Sequence, residues 1–547
     1  MVLSSPLSMW LFRIFFFIYD VFIADGPLYD SSAYTQCKLH PEEPLYNGGI
    51  LKDQVPSFLR SIMDNGDQVS YPTFLLQNLT VGNRYCFSES MKNHLFILFL
   101  GFSLRMGSPL AAYDGPIYDY TAYTKCKLLP EDPLYKGGII KNQAQQIHNN
   151  TSLSRTALKS PAFVLYNLSG NTIYSFSSWV TINGADSAVI KARVTTDNNT
   201  FNCMGTVNAK LGCWSFLKGG FVMNSPASHA LIYFQNVDGG QISITISSPS
   251  LQPFTDQQWR INQEQIINTE RKRMAILHVA DVDGNRLQGA TVVVEQVSRD
   301  FPFGSAIAQT ILGNLPYQKW FIERFNAAVF EDELKWYSTE PRPGVVNYTI
   351  PDQMLEFVRR NQIIARGHNI FWENPNFTPS WVRNLTGPEL QTAVKFRIQS
   401  LMNQYKNEFI HWDVDNEMLH YNFYEQRLGP NASLQFFETA QKSDPLARLF
   451  MNEFNVLETC DDQNATVDAY ISRLGELGKG GVSMDGIGLE GHFNVPNPPL
   501  IRAVLDKLAI LELPIWLTEI DISKTLDHET QARYLEAVLR EGFSHPS

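Results

Sequence analysis

The sequence predicts a two-part chain: an all-β sandwich over residues 113–265, then an α/β barrel of the TIM (β/α)8 type over 301–547. Two observations point to the barrel. From residue 301, strand-like apolar runs alternate with helix-like segments, the order of a parallel α/β sheet. Those runs repeatedly end in His, Glu, Asn or Lys, as strands do at the mouth of a barrel. A third observation points to the sandwich. Residues 160–255 alternate apolar and polar side chains in short runs, split by Gly, Asn and Pro turns.

The N-terminal part comes first. Residues 1–25 read as a secretory signal, since Trp10 to Ile23 is mostly apolar and too short and interrupted to span a bilayer. GPLYDSSAYTQCKLHPEEPLYNGGILKDQ, from Gly26, is echoed by GPIYDYTAYTKCKLLPEDPLYKGGIIKNQ, from Gly115. PTFLLQNLTVGNRYCFS from Pro72 is echoed by PAFVLYNLSGNTIYSFS from Pro161, at the same offset. Residues 26–90 are therefore a partial duplicate, which stops before it could complete a sandwich. Between the copies, residues 91–112 carry Met91, Lys92, an apolar run from Leu95 to Leu104, and the small Ala111 and Ala112. This is the layout of a second signal peptide. A membrane or core helix is the competing reading, but the run is short of the roughly 20 residues that span a bilayer. The arrangement resembles a fused tandem gene. It implies no stable membrane anchor and a first copy that packs little against the rest.

Within the sandwich, the strand-like runs are YSFSSWVTI (174–182), AVIKARVTT (188–196), ALIYF (230–234) and QISITISS (241–248). Residues 266–300 connect it to the barrel. Two β-like runs around an Asp-Gly turn make residues 271–300 a connecting hairpin.

Seven barrel strands follow. FPFGSAI (301–307) is the first. NAAVFEDELKW (326–336) is the second, with Glu331, Asp332 and Lys335 at its end. IIARGHNIFW (363–372) is the third, with His368 and Trp372. EFIHWDVDNE (408–417), LFMNEFNV (449–456), GIGLEGHF (486–493) and PIWLTEID (514–521) complete the set. A closed barrel of this type has eight strands, so the eighth strand and helix are expected to be missing, with an open edge on each side of the gap.

Two motifs carry the chemistry. HWDVDNE ends in Glu417 and WLTEID holds Glu519, about a hundred residues apart on different strands. Two carboxylates brought to one cleft are the minimum equipment for cleaving a glycoside. Glu453 is a third carboxylate at a strand end and is read as supporting these two.

Trp412, Asp413, Val414, Asn416 and Glu417, with Thr518, Glu519, Ile520 and Asp521, resemble the catalytic motifs of family 10 glycoside hydrolases, the endo-1,4-β-xylanases, most of all the plant branch. The resemblance covers roughly residues 270–547. It implies that Glu417 is the general acid/base and Glu519 the nucleophile of a retaining reaction on xylan. It further implies substrate-binding roles for Glu331, Asp332, Lys335, His368, Trp372, Asn416, Glu490 and His492. His492 is expected to orient Glu519 by a hydrogen bond, Asn416 to bond a sugar 2-OH, and Trp372 to offer an apolar face to a pyranose. Asp332 stands where the family has Asn, Glu373 where many members have His, and Glu490 where Gln is usual.

The sandwich, placed before such a domain, resembles a family 22-like carbohydrate-binding module. Trp179, Trp214, Phe216, Phe221 and Tyr233 are its candidate sugar platforms, with GCWSFLKGGF (212–221) the best place for an exposed one. For each aromatic taken singly, a core position is the competing reading.

Composition narrows the partners. A net charge of −11 argues against nucleic acid and suits a neutral polysaccharide. No phosphate-binding glycine loop is present, and the six cysteines are too scattered for a zinc site. No metal or cofactor is therefore expected. Cys203 and Cys213 are spaced to close a short disulfide loop. Asn-x-Ser/Thr sequons at Asn78, Asn149, Asn167, Asn198, Asn347, Asn376, Asn384, Asn431 and Asn464 favour a secreted glycoprotein of the cell wall. The expected molecule is a monomeric endo-xylanase. The alternative is a non-catalytic carbohydrate-binding protein, or an inactive truncated product with a relic site.

Overall fold

The computed structural model describes residues 99–100, 113–136, 138–140, 145–146, 161–196, 201–272, 276–277 and 301–547. Residues Gly115–Glu270 and Phe301–Ser547 form one unit; Met1–Asp114 with Arg271–Asp300 form another. In the second, Phe99–Leu100 pairs in parallel with Ile276–Leu277. Apart from these short pieces, the signal-like segments, the duplicate at 26–90 and the 271–300 hairpin lie outside the described residues. No helix among the described residues is long and apolar enough to cross a membrane.

Seven antiparallel strands form the sandwich: β1 Pro161–Leu168, β2 Thr172–Asn183, β3 Ser187–Thr196, β4 Phe201–Lys210, β5 Ser215–Met223, β6 Ala227–Asn236 and β7 Ser243–Thr255. One sheet runs Gln145–Gln146, β1, β6, β3, β4; the other runs β5, β2, β7. Their inner faces meet in a core that includes Phe176, Ile190, Leu217, Ile232 and Phe234. The α-helix α1, Asp256–Ile266, follows at once. Thr255 and Gln258 close its first turn as a reciprocal capping box. Residues 266–271 are helical, so the connecting hairpin expected from 266 does not begin there.

The sandwich corrects two expectations. Trp179, Phe216, Phe221 and Tyr233 are 1%, 5%, 1% and 4% exposed, so none of them is an open sugar platform. GCWSFLKGGF does not offer the exposed platform expected of it: most of it is β5, which is buried almost throughout, and Trp214 is half-buried. The second correction concerns cysteine. Cys213 bonds Cys126, and Cys203 bonds Cys460 of the barrel, with Cα–Cα distances of 5.7 Å in both. The sheet carries Cys203 on β4 away from Cys213, against the barrel instead.

The barrel part is a parallel sheet in strict sequence order: β8 Gly304–Ile307, β9 Ala327–Phe330, β10 Ile364–Trp372, β11 His411–Asn416, β12 Arg448–Glu453, β13 Gly486–Phe493 and β14 Ile515–Ile522. Between them run α2 Leu315–Ile322, α3 Thr349–Arg360, α4 Gly387–Gln404, α5 Phe423–Leu428, α6 Ala432–Ser443, α7 Val467–Lys479 and α8 Pro498–Ala509; α9 His528–Phe543 follows β14. Side chains of Asn314, Thr466 and Asp527 cap α2, α7 and α9 by accepting a backbone N–H of the first turn. β11 is wholly buried, with the Trp412 ring lying against Gly367 on β10, where any Cβ would collide with it. Among the described residues, β8 and β14 pair on one side only. Their burial reflects it: β8 is largely exposed and β14 half-exposed, unlike the five strands between. Phe301, ahead of β8, meets Phe543 of α9 edge-on at 4.9 Å.

Sandwich and barrel are joined by buried polar groups. Lys218 of β5 pairs with Asp506 of α8 at 2.6 Å, and Tyr118 donates to the same carboxylate at 2.8 Å. Glu541 of α9 accepts from Trp259 and Gln263 of α1, both at 2.6 Å, and from Arg502. Gly220 lets β5 lie directly on Pro499. The face of β5 is therefore occupied by the barrel. Lys218→Met would leave the Asp506 charge buried with less compensation, and should destabilise the unit by about 3–5 kcal/mol. Chemical denaturation checks this; a loss below about 1 kcal/mol would mean the pair contributes no more than a surface one.

Candidate active site

Parallel strands all point the same way, so their C-terminal ends gather at one mouth. β10 brings His368 and Trp372 there, β11 brings Asn416 and Glu417, β12 Asn452 and Glu453, β13 Glu490 and His492, and β14 Thr518, Glu519 and Asp521. Glu331, Asp332 and Lys335 follow β9.

The link between the two motifs is Asn452, which the sequence reading did not single out. Its Nδ2 donates to Glu490 Oε1 at 2.8 Å and Asn416 Oδ1 at 3.0 Å, and reaches Glu519 Oε1 at 3.2 Å. Thr518 Oγ1 donates to its Oδ1 at 2.5 Å. Glu417 turns off the end of β11 at φ +60°, its N–H donating to the Asn452 carbonyl at 3.1 Å. Only its place at a strand end, beside Glu453, could have flagged Asn452.

Glu417 and Glu519 sit in different surroundings. Glu417 is 8% exposed, whereas the side chain of Glu519 is 34% exposed. Burial pushes the Glu417 carboxyl up to about 7; the Trp372 indole pulls the other way, and the charges of Glu453 and Glu519 add to the rise. Glu453 lies behind it, fully buried, bonded to His420 Nδ1 at 2.6 Å. His420 reaches Asp462 at 2.8 Å through its other nitrogen. Burial works against the imidazolium, yet these carboxylates hold it up at about 9.

Among the described histidines, His368 stands nearest to Glu519, Nε2 to Oε1 at 3.8 Å. Asp413 fixes its ring through Nδ1 at 3.0 Å, and Arg366 holds Asp413 in turn at 2.7 Å. His492 is placed otherwise than expected. It bonds Asp521 at 2.9 Å and Glu490 at 3.4 Å, not Glu519. Across the sheet His492 stands in register with Asp521, and the Glu490 side chain is a second acceptor on its own strand. Those bonds raise His492 to about 10, while burial and the nearby Glu519 charge push Glu490 well above the usual carboxylate range. Ligand atoms of Glu490, His492 and Glu519 lie within 4.8 Å of one another, a spacing that could hold a cation. An imidazolium there opposes one.

Trp372 is also altered. Phe377 stacks on it at 4.0 Å and 7°, and Lys335 Nζ lies 4.8 Å from its ring. One face expected for a sugar is thus taken by Phe377, itself 40% exposed. Asp332 accepts from the Tyr337 hydroxyl at 2.5 Å and from Lys335 at 3.3 Å, while Glu331 is exposed beside it. Asn416 gives its oxygen to Asn452 and keeps a buried Nδ2 without a protein acceptor.

The profile of glycosyl hydrolase family 10 matches residues 293–544. Endo-1,4-beta-xylanase 4 of Arabidopsis thaliana is 33% identical over 460 residues, spanning 82% of this chain and 78% of that protein. The chain belongs to glycosyl hydrolase family 10. Another Arabidopsis thaliana protein, Endo-1,4-beta-xylanase 5-like, is 37% identical over 383 residues, which cover 69% of this chain and 66% of that one. Xylanase 10B from Thermotoga petrophila RKU-1, solved with xylobiose, is 25% identical over 44% of this chain and 78% of its own, with a TM-score of 0.41. The family 10 match contains every residue of the site described above.

Proposed function

We propose that this chain hydrolyses internal β-1,4 bonds of xylan in the plant cell wall with retention of configuration, as a secreted glycoprotein. One observation carries the reading: two carboxyls at the ends of β11 and β14 share one mouth, one buried and held protonated up to about pH 7, the other half-open and held by Asn452. Glu519 attacks the anomeric carbon while Glu417 protonates the leaving oxygen; Glu417 then takes a proton from the water that releases the sugar. The free Nδ2 of Asn416 suits a bond to the sugar 2-OH. The named relatives support xylan as the polymer. The anomer released first, followed by NMR, tests the mechanism: a β-anomer is expected, and an α-anomer would refute retention.

The sandwich, similar in pattern to family 22-like modules, acts in this reading as a buttress for α8 and α9, because four of its five aromatic candidates are buried and Trp214 is half-buried.

Glu490 is buried beside Glu519, its carboxyl bonded to Asn452 and His492. Glu490→Gln preserves its shape and should keep kcat/KM on xylan within about tenfold. A loss beyond about a hundredfold would mean that the Glu490 proton or charge takes part in the reaction.

A second reading, a carbohydrate-binding protein without turnover, draws on the one-sided pairing of β8 and β14. Xylan affinity with no measurable hydrolysis by the full chain would select it.

A further inference from the structure

Two buried carboxyls behind the cleft have no part in the chemistry above. Glu373 directly follows Trp372 at the end of β10 and is 1% exposed; Asp415 directly precedes Asn416 and Glu417 on β11 and is 0% exposed. Their backbones are coupled. Glu373 N–H donates to the Asn416 carbonyl at 3.1 Å, and Phe371 is in register with Asp415. Their side chains meet. Glu373 Oε2 accepts the Tyr424 N–H of α5 at 3.0 Å. Glu373 Oε1 and both Asp415 carboxyl oxygens are buried without a protein donor.

Among the described residues, no counter-charge is in contact with the pair. Arg473 of α7 acts on Asp415 from a distance, but its guanidinium is bound to Glu425 at 2.5 Å and Glu476 at 3.1 Å. Glu425 of α5 adds negative charge. The Tyr424 phenol and the Ser433 hydroxyl of α6 are the neutral groups that face the pair. Arg397 of α4, beyond Tyr424, is spent on the Thr339 hydroxyl and on the carbonyls of Leu334, Asn369 and Ile370. Buried carboxylate oxygens without donors are costly. Two carboxylates in contact cannot both ionise cheaply, whereas one proton between them satisfies both.

We propose that Glu373 and Asp415 are positioning residues: a proton-sharing acid pair that locks the ends of β10 and β11 against α5 and α6, and with them Trp372, Asn416 and Glu417. Burial, and then the charge of its partner, raise Glu373 well above the usual carboxylate range; burial raises Asp415 to about 7. Both titrate near ~4 in an unfolded chain. The folded state therefore binds extra protons above pH ~4. The pair's contribution to stability is complete below that, and Asp415's share is lost as pH rises through about 7.

The test is the melting temperature of the full chain from pH 4 to 9, for the natural protein, Glu373→Gln and Asp415→Asn, with kcat and KM on xylan alongside. In each variant an amide donates to the remaining carboxylate, so a proton is no longer required. The expected result is a shallower fall of Tm with pH than in the natural protein. The alkaline limb of log kcat should also soften from a slope near −2 towards −1, with KM little changed. If one variant does not fold, the other decides. Tm curves parallel to the natural one would overturn the proposal, whatever the activity. The Tm arm does not depend on the xylanase reading, so the two can fail separately.

Discussion

Glu519→Ala should abolish xylan hydrolysis, lowering kcat on the order of 10⁴–10⁶-fold, as removal of a covalent nucleophile does elsewhere. The expectation rests on geometry. Glu519 is the half-open carboxyl of the pair, held by Asn452 and approached by His368. Among the described residues, no other carboxylate is placed to substitute for it: Glu490 is buried and bonded to Asn452 and His492, and Glu453 is committed to His420. Alanine also leaves a space beside the anomeric carbon. A small anion such as azide should enter it and restore turnover of a xyloside with a good leaving group, giving a glycosyl azide of inverted configuration. Activity within about tenfold of the natural chain, without added anion, would remove Glu519 from its role.

Glu417→Gln should cost about 10²–10⁴-fold on xylan, the usual range for a general acid. The penalty should shrink sharply on an aryl xyloside whose phenolate leaves without a proton. The pH dependence gives a second check. Glu417 must carry its proton to act, and burial holds that proton up to about pH 7. Hence kcat/KM of the natural chain should fall as pH rises through about 7. Glutamine has nothing to lose in that window, so Glu417's share of the fall should vanish, leaving a shallower limb set by the Glu373–Asp415 pair. An unchanged alkaline limb in Glu417→Gln would assign it to another group, the Glu373–Asp415 pair being the first to examine.

Much of this was legible in the sequence. A buried parallel strand writes itself as a short apolar run, and the first polar residue after it marks the mouth of the sheet. That rule is local, so the amino-acid order alone places Glu417, Glu519, His368 and Glu490 at strand ends and gives the succession of all seven strands. The sandwich was legible as a class for the same reason, since alternation is a property of neighbouring residues.

The partners were not legible, because they are set by register between strands far apart in the chain. Asn452 meets Asn416, Glu490 and Glu519 only because β12 lies between β11 and β13 at one particular offset. His492 turned to Asp521 and Glu490 because β13 and β14 pair His492 with Asp521 across the sheet. Cys203 found Cys460, 257 residues away, because β4 packs against the barrel. Packing against the barrel and the sandwich core likewise decided the fate of the aromatics. Trp179, Phe216 and Phe221 carry the residue types of a sugar platform, but what covers a ring is a tertiary fact. The sequence by itself determined which residues reach the ends of strands. The tertiary structure alone decided which of them share a proton, a hydrogen bond or a covering surface, since those interactions act over a few ångströms and the chain brings their partners together from anywhere along its length.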